Sequence, residues 1–317
     1  MRYRNLSLFL VLAAVWGSAF MAIKAGLDLY GFPPVLFAAV RYDVAGLVML
    51  AYALYVLDDP FPRTRRQVAD VLVGAVFLIA GYHAFLFVGE QNTTSAAAAV
   101  IVSLSPVLTT AIARAALPGE RLSVSGIAGL LLGLLGVAVL SVRDPSNLLT
   151  AGVVGKALVF AAALSFAFGS VASQRLDSGL PIESMEAWSM LGGALLMHVV
   201  SAARGERVAP MLDALSGPDA LGALAALGYL SLAASALGFL VYFDLLGRLG
   251  PIEINLVSYV APVFAALSGL LFLGELITLR TAVGFLIIVV GFVLIKREAI
   301  RAELTTVRRG SGVGADD

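Results

Sequence analysis

The chain contains no cysteine and only two histidines, and charged side chains fill just 13% of its 317 positions. The missing cysteines exclude disulfides, thiolate metal sites and cysteine nucleophiles. Neither His83 nor His198 falls in a motif with a serine, no apolar run holds a pair of aspartates, and no phosphate-binding glycine loop occurs. Enzyme chemistry and ATP hydrolysis are therefore not expected, and no metal or cofactor is implied. Basic and acidic residues balance at 21 each, which removes the electrostatic case for nucleic acid. What the chain does have is apolar sequence, 60% of it, with a mean hydropathy of +0.96. A soluble domain sits at about 45–50% apolar and about 25% charged, so this chain needs lipid as its solvent.

A span needs roughly 20 mostly apolar residues to cross ~30 Å of hydrocarbon. Ten are predicted: 6–27, 34–57, 69–89, 94–115, 123–142, 153–174, 184–203, 220–243, 253–273 and 280–297. The runs are continuous rather than alternating, which selects helices over barrel strands. Arg2 and Arg4 ahead of Leu6 to Ala22 imitate a secretory signal. That segment carries a motif repeated later, however, and reads as the first span. With the N-terminus in the cytoplasm, 14 Lys and Arg face inward and 6 outward, so both termini are expected inside. Residues 299–317 are polar and glycine-containing, and are expected to form a disordered cytoplasmic tail.

The two halves repeat one another. Ser103-Leu104-Ser105-Pro106-Val107 is echoed by Tyr259-Val260-Ala261-Pro262-Val263, an offset of 156. Trp16-Gly17-Ser18 is echoed by Phe168-Gly169-Ser170, Glu120 by Glu275, and Gly129 and Gly136 by Gly284 and Gly291. Near-constant offsets predict a duplication, with repeats at 1–142 and 143–298. Five spans per repeat is an odd number, so the second repeat enters the membrane from the opposite side. The expected fold is an all-α integral membrane protein of ten helices in two inverted five-helix repeats, an arrangement that supports alternating access.

Several of these motifs, with Arg41-Tyr42, Thr94-Ser95-Ala96-Ala97, Gly119-Glu120-Arg121 and Leu273-Gly274-Glu275, appear in the order found in a known family. The chain resembles the drug/metabolite transporter superfamily, specifically its EamA-type members, over about residues 5 to 297. The resemblance implies a plasma-membrane carrier of small organic solutes, often outward, with a central cavity lined mainly by spans one, three, four, six, eight and nine. Phe168 departs from the family in replacing a second tryptophan, and Pro118 stands where leucine is common.

Residue chemistry supplies the site expectations. Asn255, Tyr259 and Pro262 share one helical face, and Ser103 shares a face with Pro106. Trp16 sits mid-span, Tyr82 and His83 lie within span three, and a histidine inside a span is a functional suspect. Trp16, Tyr82, His83, Ser103, Asn255 and Tyr259 are thus the expected substrate-binding set, each also readable as helix packing or helix–helix hydrogen bonding. Pro106 and Pro262 are expected hinges. Arg41, Glu120 and Glu275 are expected structural charges, with Glu275 a partner for Arg41 and both glutamates near helix N-termini. Lys24 and Asp28 form an i, i+4 pair, and Glu90 is expected in solvent at the outer edge. The glycines of spans five and ten are expected to pack within a repeat, or else to form a homodimer interface. The aromatic, amide and hydroxyl character favours neutral or zwitterionic, amino-acid-like solutes. The other readings are a sugar-phosphate or nucleotide-sugar carrier, a multidrug exporter of the same fold, and a membrane receptor, scaffold or channel.

Overall fold

Nothing in the apolar stretch from Leu6 onward stops a helix before Gly31, which adopts a φ of +64°. In the computed structural model, described over residues 2–116, 124–141, 151–249, 254 and 256–294, the first helix, α1, accordingly runs Arg2–Asp28. Helix α2 (Pro34–Val56) opens on Pro34, in the first turn, where a missing N–H costs no hydrogen bond. Thr64 and Gln67 form a reciprocal capping box that starts α3, a continuous rod made of Arg65–Val73, Gly74–Gly81 and Tyr82–Glu90. The remaining helices are α4 (Ser95–Val102 and Ser105–Ala116), α5 (Val124–Ser141), α6 (Ala151–Leu176), α7 (Ile182–Ala203) and α8 (Ala209–Ser216). They are followed by α9 (Ala220–Gly228, Tyr229–Leu237 and Gly238–Leu249), α10 (Val257–Leu273) and α11 (Leu279–Leu294). No strand occurs among the described residues.

Six of these helices are long and apolar enough to cross a membrane: α1, α2, α3, α4, α6 and α9. Parts of α5, and α10 and α11, are shorter apolar helices. In α7, Glu186, Ser189 and His198 dilute an otherwise apolar run. Large apolar side chains such as Tyr55, Leu195, Leu221 and Leu271 point outward, as they must where the solvent is lipid. The result is an all-helical membrane protein. The short α8 lies between the spans expected at 184–203 and 220–243, where no helix was expected.

The most extensive helix pairings join the first half of the chain to the second: α2 with α7, α1 with α10, and α3 with α6 and α7. Their core holds Tyr42, Phe37 and Phe87, all fully buried. The glycines of α5 and α11 meet each other across the halves rather than packing only within one. A Cβ on Gly136 would stand 2.7 Å from the Gly284 carbonyl oxygen, and one on Gly291 would stand 2.6 Å from that of Gly129. Only glycine permits that backbone approach.

Two rods contain π-helical stretches, Gly74–Gly81 in α3 and Tyr229–Leu237 in α9. A π-turn leaves carbonyls without their usual donor, and in lipid each must find another. Ser165 of α6 donates to the Phe77 carbonyl at 2.8 Å, and Trp16 of α1 donates through Nε1 to the Ala234 carbonyl at 3.0 Å. Each half therefore satisfies the π-turn of the other.

The single span expected at 94–115 is interrupted at Ser103–Leu104. Pro106 has no N–H for the Val102 carbonyl four residues back. Ser105 Oγ takes that carbonyl instead at 2.7 Å, and Ser103 Oγ takes Val100 O at 2.7 Å. Pro262 differs: it is buried inside an unbroken α10.

Candidate functional site

The connections that follow α1, α3, α7 and α10 gather at one end of the bundle, the distal end, and carboxylates from the second half hold helix starts of the first half there. Glu206 accepts from the Val35 and Leu36 amides of α2 at 3.3 and 2.9 Å. Glu275 accepts from the Ser95 amide at the start of α4, at 3.1 and 3.0 Å to its two oxygens. Glu275 therefore does not pair with Arg41, because its carboxylate is spent on a helix N-terminus from the other half of the chain. Loss of this cap in Glu275→Ala is expected to cost roughly 0.5–2 kcal/mol, seen as a lower melting temperature of the purified protein in detergent.

Beneath these caps, α2 carries Arg41 into the interior, 5% exposed. Its Nε donates to Ser235 Oγ of α9 at 2.9 Å, and its guanidinium lies 5.1 Å from the Tyr42 ring centroid and 5.9 Å from that of Phe87. No ion-pair partner for it exists among the described residues. Tyr42 in turn bonds His83, with Tyr82 beside the imidazole, and Tyr229 lies in the same α9 stretch as Ser235. Both halves contribute to this assembly, since Tyr229 and Ser235 belong to the π-stretch of α9.

His83 is fully engaged. Its Nδ1–H donates to Ile79 O at 2.9 Å, so Nε2 receives the Tyr42 hydroxyl at 2.7 Å. The Tyr82 and Phe87 rings stack around the imidazole. Tyr42→Phe removes one buried hydrogen bond and strands Nε2, which is expected to cost about 1–3 kcal/mol in a denaturation series in detergent.

Trp16 bridges to α9 through its indole bond, with its ring 5.7 Å from Phe239 and 5.4 Å from Tyr242. Two residues along, Ser18 Oγ lies 2.7 Å from the Tyr229 hydroxyl. Tyr82 is half-buried with its ring 5.6 Å from Phe166 of α6. Ser103 is buried and its hydroxyl is occupied within its own helix. Tyr259 packs on Phe292 at 4.4 Å, and its hydroxyl is buried without a partner. The structure thus ties Trp16 and Arg41 to α9 and sets Tyr82 and His83 beside Tyr42, over which the guanidinium lies, while Tyr259 faces α11. Asn255 and Glu120 lie outside the described residues.

Lys24 pairs with Asp28 at 2.9 Å and also reaches the carbonyls of Glu90 and Gln91. Glu90, expected in solvent, is instead completely buried, with both carboxyl oxygens unpartnered. The sequence reading also missed Glu186, 8% exposed in α7, and Asp70, held by the hydroxyls of Ser173 and Ser178. An ionisable residue within a span was the available signal for Glu186. His198 meets Asp43 at 2.7 Å across α2 and α7.

Comparison with known proteins places this geometry. The model of the EamA-like transporter family matches twice, at residues 4–142 and 153–297. An Escherichia coli protein named uncharacterized inner membrane transporter YedA is 31% identical, covering 85% of this chain and 84% of its own. A Streptantibioticus cattleyicolor protein named probable terminal-alkyne amino-acid exporter is 30% identical, covering 95% of this chain and 97% of its own. A solved crystal structure at 25% identity superposes with a TM-score of 0.63 over 94% of this chain and 99% of that one. The chain belongs to the EamA-like transporter family, and it is a membrane transporter.

Proposed function

We propose that the protein is a secondary transporter that moves small, amino-acid-like metabolites outward across the plasma membrane. It works by alternating access of ten helices arranged as two inverted five-helix repeats, with both termini cytoplasmic. The single observation that carries the substrate class is Arg41. An intramembrane charge without a counter-ion is costly, ~2.5–3.5 kcal/mol on insertion scales. A solute carboxylate supplies the missing partner, and the planar guanidinium matches it with two parallel donors. Trp16, Tyr82 and Tyr229 offer ring faces to the rest of the solute, the Tyr229 hydroxyl being held by Val15 O and Ser18. In this reading His83 and Ser103 serve the fold, because their polar atoms already have partners.

The reciprocal π-turn bonds and the break in α4 supply the places where helices flex. The distal caps of Glu206 and Glu275 join opposite halves, so opening that end breaks them, and Pro106 and Pro262 serve as hinges in this motion. The name of the Streptantibioticus relative fits this substrate class. A sugar-phosphate carrier is disfavoured because it wants several cations about a dianion. Here Lys24 is already held by Asp28 and two carbonyls.

The test is release of a labelled amino-acid mixture from proteoliposomes. Saturable, protein-dependent release of a subset is expected. No release above empty liposomes, from protein shown to be folded, contradicts the reading.

A further inference from the structure

The distal turn between α3 and α4 concentrates buried oxygens without hydrogen-bond partners. Among the described residues, five buried side-chain oxygens have no hydrogen-bond partner: both of Glu90, Thr93 Oγ1, Ser95 Oγ and the hydroxyl of Tyr259. Four of the five fall between Glu90 and Ser95. The nearby ammonium and amide donors are committed elsewhere. Lysine has three N–H donors, and Lys24 gives them to the Glu90 carbonyl at 2.8 Å, the Gln91 carbonyl at 3.3 Å and Asp28 at 2.9 Å. The Ser95 amide serves Glu275, and the Ala97 amide serves Thr94 Oγ1.

One side of the turn is covered, although Gln91, Asn92 and Thr94 remain exposed. A Cβ on Gly155 of α6 would stand 2.8 Å from Gly89 O and 2.9 Å from Thr93 Oγ1, so the α6 backbone lies directly over it. The charged groups acting on Glu90 are Lys24 and Asp28 from α1, Glu275 from the α10–α11 connection and Arg41 from α2. Lys156 is the ionisable residue of the α6 segment above the turn. Among the described residues, Glu90 itself makes no ion pair or hydrogen bond through its carboxylate, while Lys24 is held by Asp28 and two carbonyls and Glu275 by the Ser95 amide.

A carboxylate buried with neither oxygen hydrogen-bonded or ion-paired requires a proton or a cation. Oxygen-only donors of this kind suit a hard, small cation. No group of three or more His, Cys, Asp or Glu able to hold a metal occurs among the described residues, which argues against a multivalent ion. We propose that this turn is a coupling-cation site. It is centred on the Glu90 carboxylate with the Thr93 and Ser95 hydroxyls, and it takes up one monovalent cation, a proton or a sodium ion, in each transport cycle. Glu275 reaches the site from the other half, so separating the halves at the distal end releases Ser95 and exposes the site to water. Cation binding and opening are thereby linked. The coupling role rests on the transport reading; the site itself does not.

The experiment has two readouts on purified wild-type and Glu90→Gln protein. Infrared difference spectra are recorded on a pH step in sodium-free buffer and on sodium addition at fixed pH. A carboxyl-band change present in wild type and absent from E90Q is expected in one arm, and that arm identifies the cation. Identical spectra for the two proteins in both arms overturn the site. In proteoliposomes, solute exchange and gradient-driven accumulation are then compared under the identified cation gradient. E90Q is expected to keep at least half of the exchange rate and to lose the gradient response. Equal gradient response in both proteins overturns the coupling. Absence of exchange in wild type overturns the transport reading while the infrared result stands. Should E90Q fold poorly, Thr93→Val is expected to raise the half-saturating cation concentration several-fold; an unchanged value overturns the site.

Discussion

Replacing Arg41 by glutamine is expected to reduce the flux of carboxylate-bearing solutes by about two orders of magnitude or more while leaving the protein folded. Truncating one member of a buried charge pair costs about 2–5 kcal/mol, and roughly 1.4 kcal/mol is tenfold. Folding is spared because the glutamine amide still reaches toward Ser235, and removing an uncompensated charge offsets the lost bond at Nε. Arg41→Lys keeps the charge but loses the fork, so an intermediate loss is expected. Initial rates in proteoliposomes, beside melting curves of the same preparations, check this. Flux in Arg41→Gln within threefold of wild type would mean that the guanidinium clamps α2 to α9 and touches no solute.

The second large effect lies at Gly17. A Cβ there would collide with the Ala261 carbonyl oxygen and stand 2.7 Å from Phe264 Cβ and 3.1 Å from the Ala265 amide. Two of those atoms are backbone, so no rotamer change relieves the clash, and α1 and α10 must move apart. Overpacking costs about 1–3 kcal/mol even where side chains yield. Gly17→Leu is expected at or beyond the upper end of that range, with the melting temperature lowered by roughly 10 °C. Gly228→Ala is the control, because a Cβ there meets nothing within 4 Å. Alanine is the better helix former by about 1 kcal/mol, so its melting temperature should hold or rise. An unchanged melting temperature in Gly17→Leu would contradict the close approach of α1 and α10.

Much of the architecture was legible because helix boundaries in membranes follow local rules. Span 34–57 is read from two prolines before an apolar run and an Asp-Asp-Pro after it, and the helix is Pro34–Val56. Glycines 129, 136, 284 and 291 announced close helix approach. Their partners did not show, because a small-residue stripe does not say which helix it meets. The π-stretches of α3 and α9 were not legible. Their apolar sequence is compatible with either hydrogen-bond pattern, and what holds them is a side chain from the other half, Ser165 or Trp16.

The site divides in the same way. Arg41 was visible as a mid-span charge, but its partner Ser235 lies 194 residues away and carries no local signal. Glu90 was misplaced because a position near a span end normally reaches water. Its burial depends on the Gly89–Gly155 contact and on a lysine whose donors are all taken, and neither is a local property. Pro106 was expected as a hinge; the helix breaks just before it, where Ser103 and Ser105 take the loose carbonyls, whereas at Pro262 the helix continues.

The most direct measurement is counterflow exchange of a labelled amino acid against excess unlabelled leucine or leucinamide, which differ only in the carboxylate. The account predicts exchange with leucine and little or none with leucinamide, and loss of the leucine signal in Arg41→Gln. Equal exchange with both compounds would contradict a site built around Arg41.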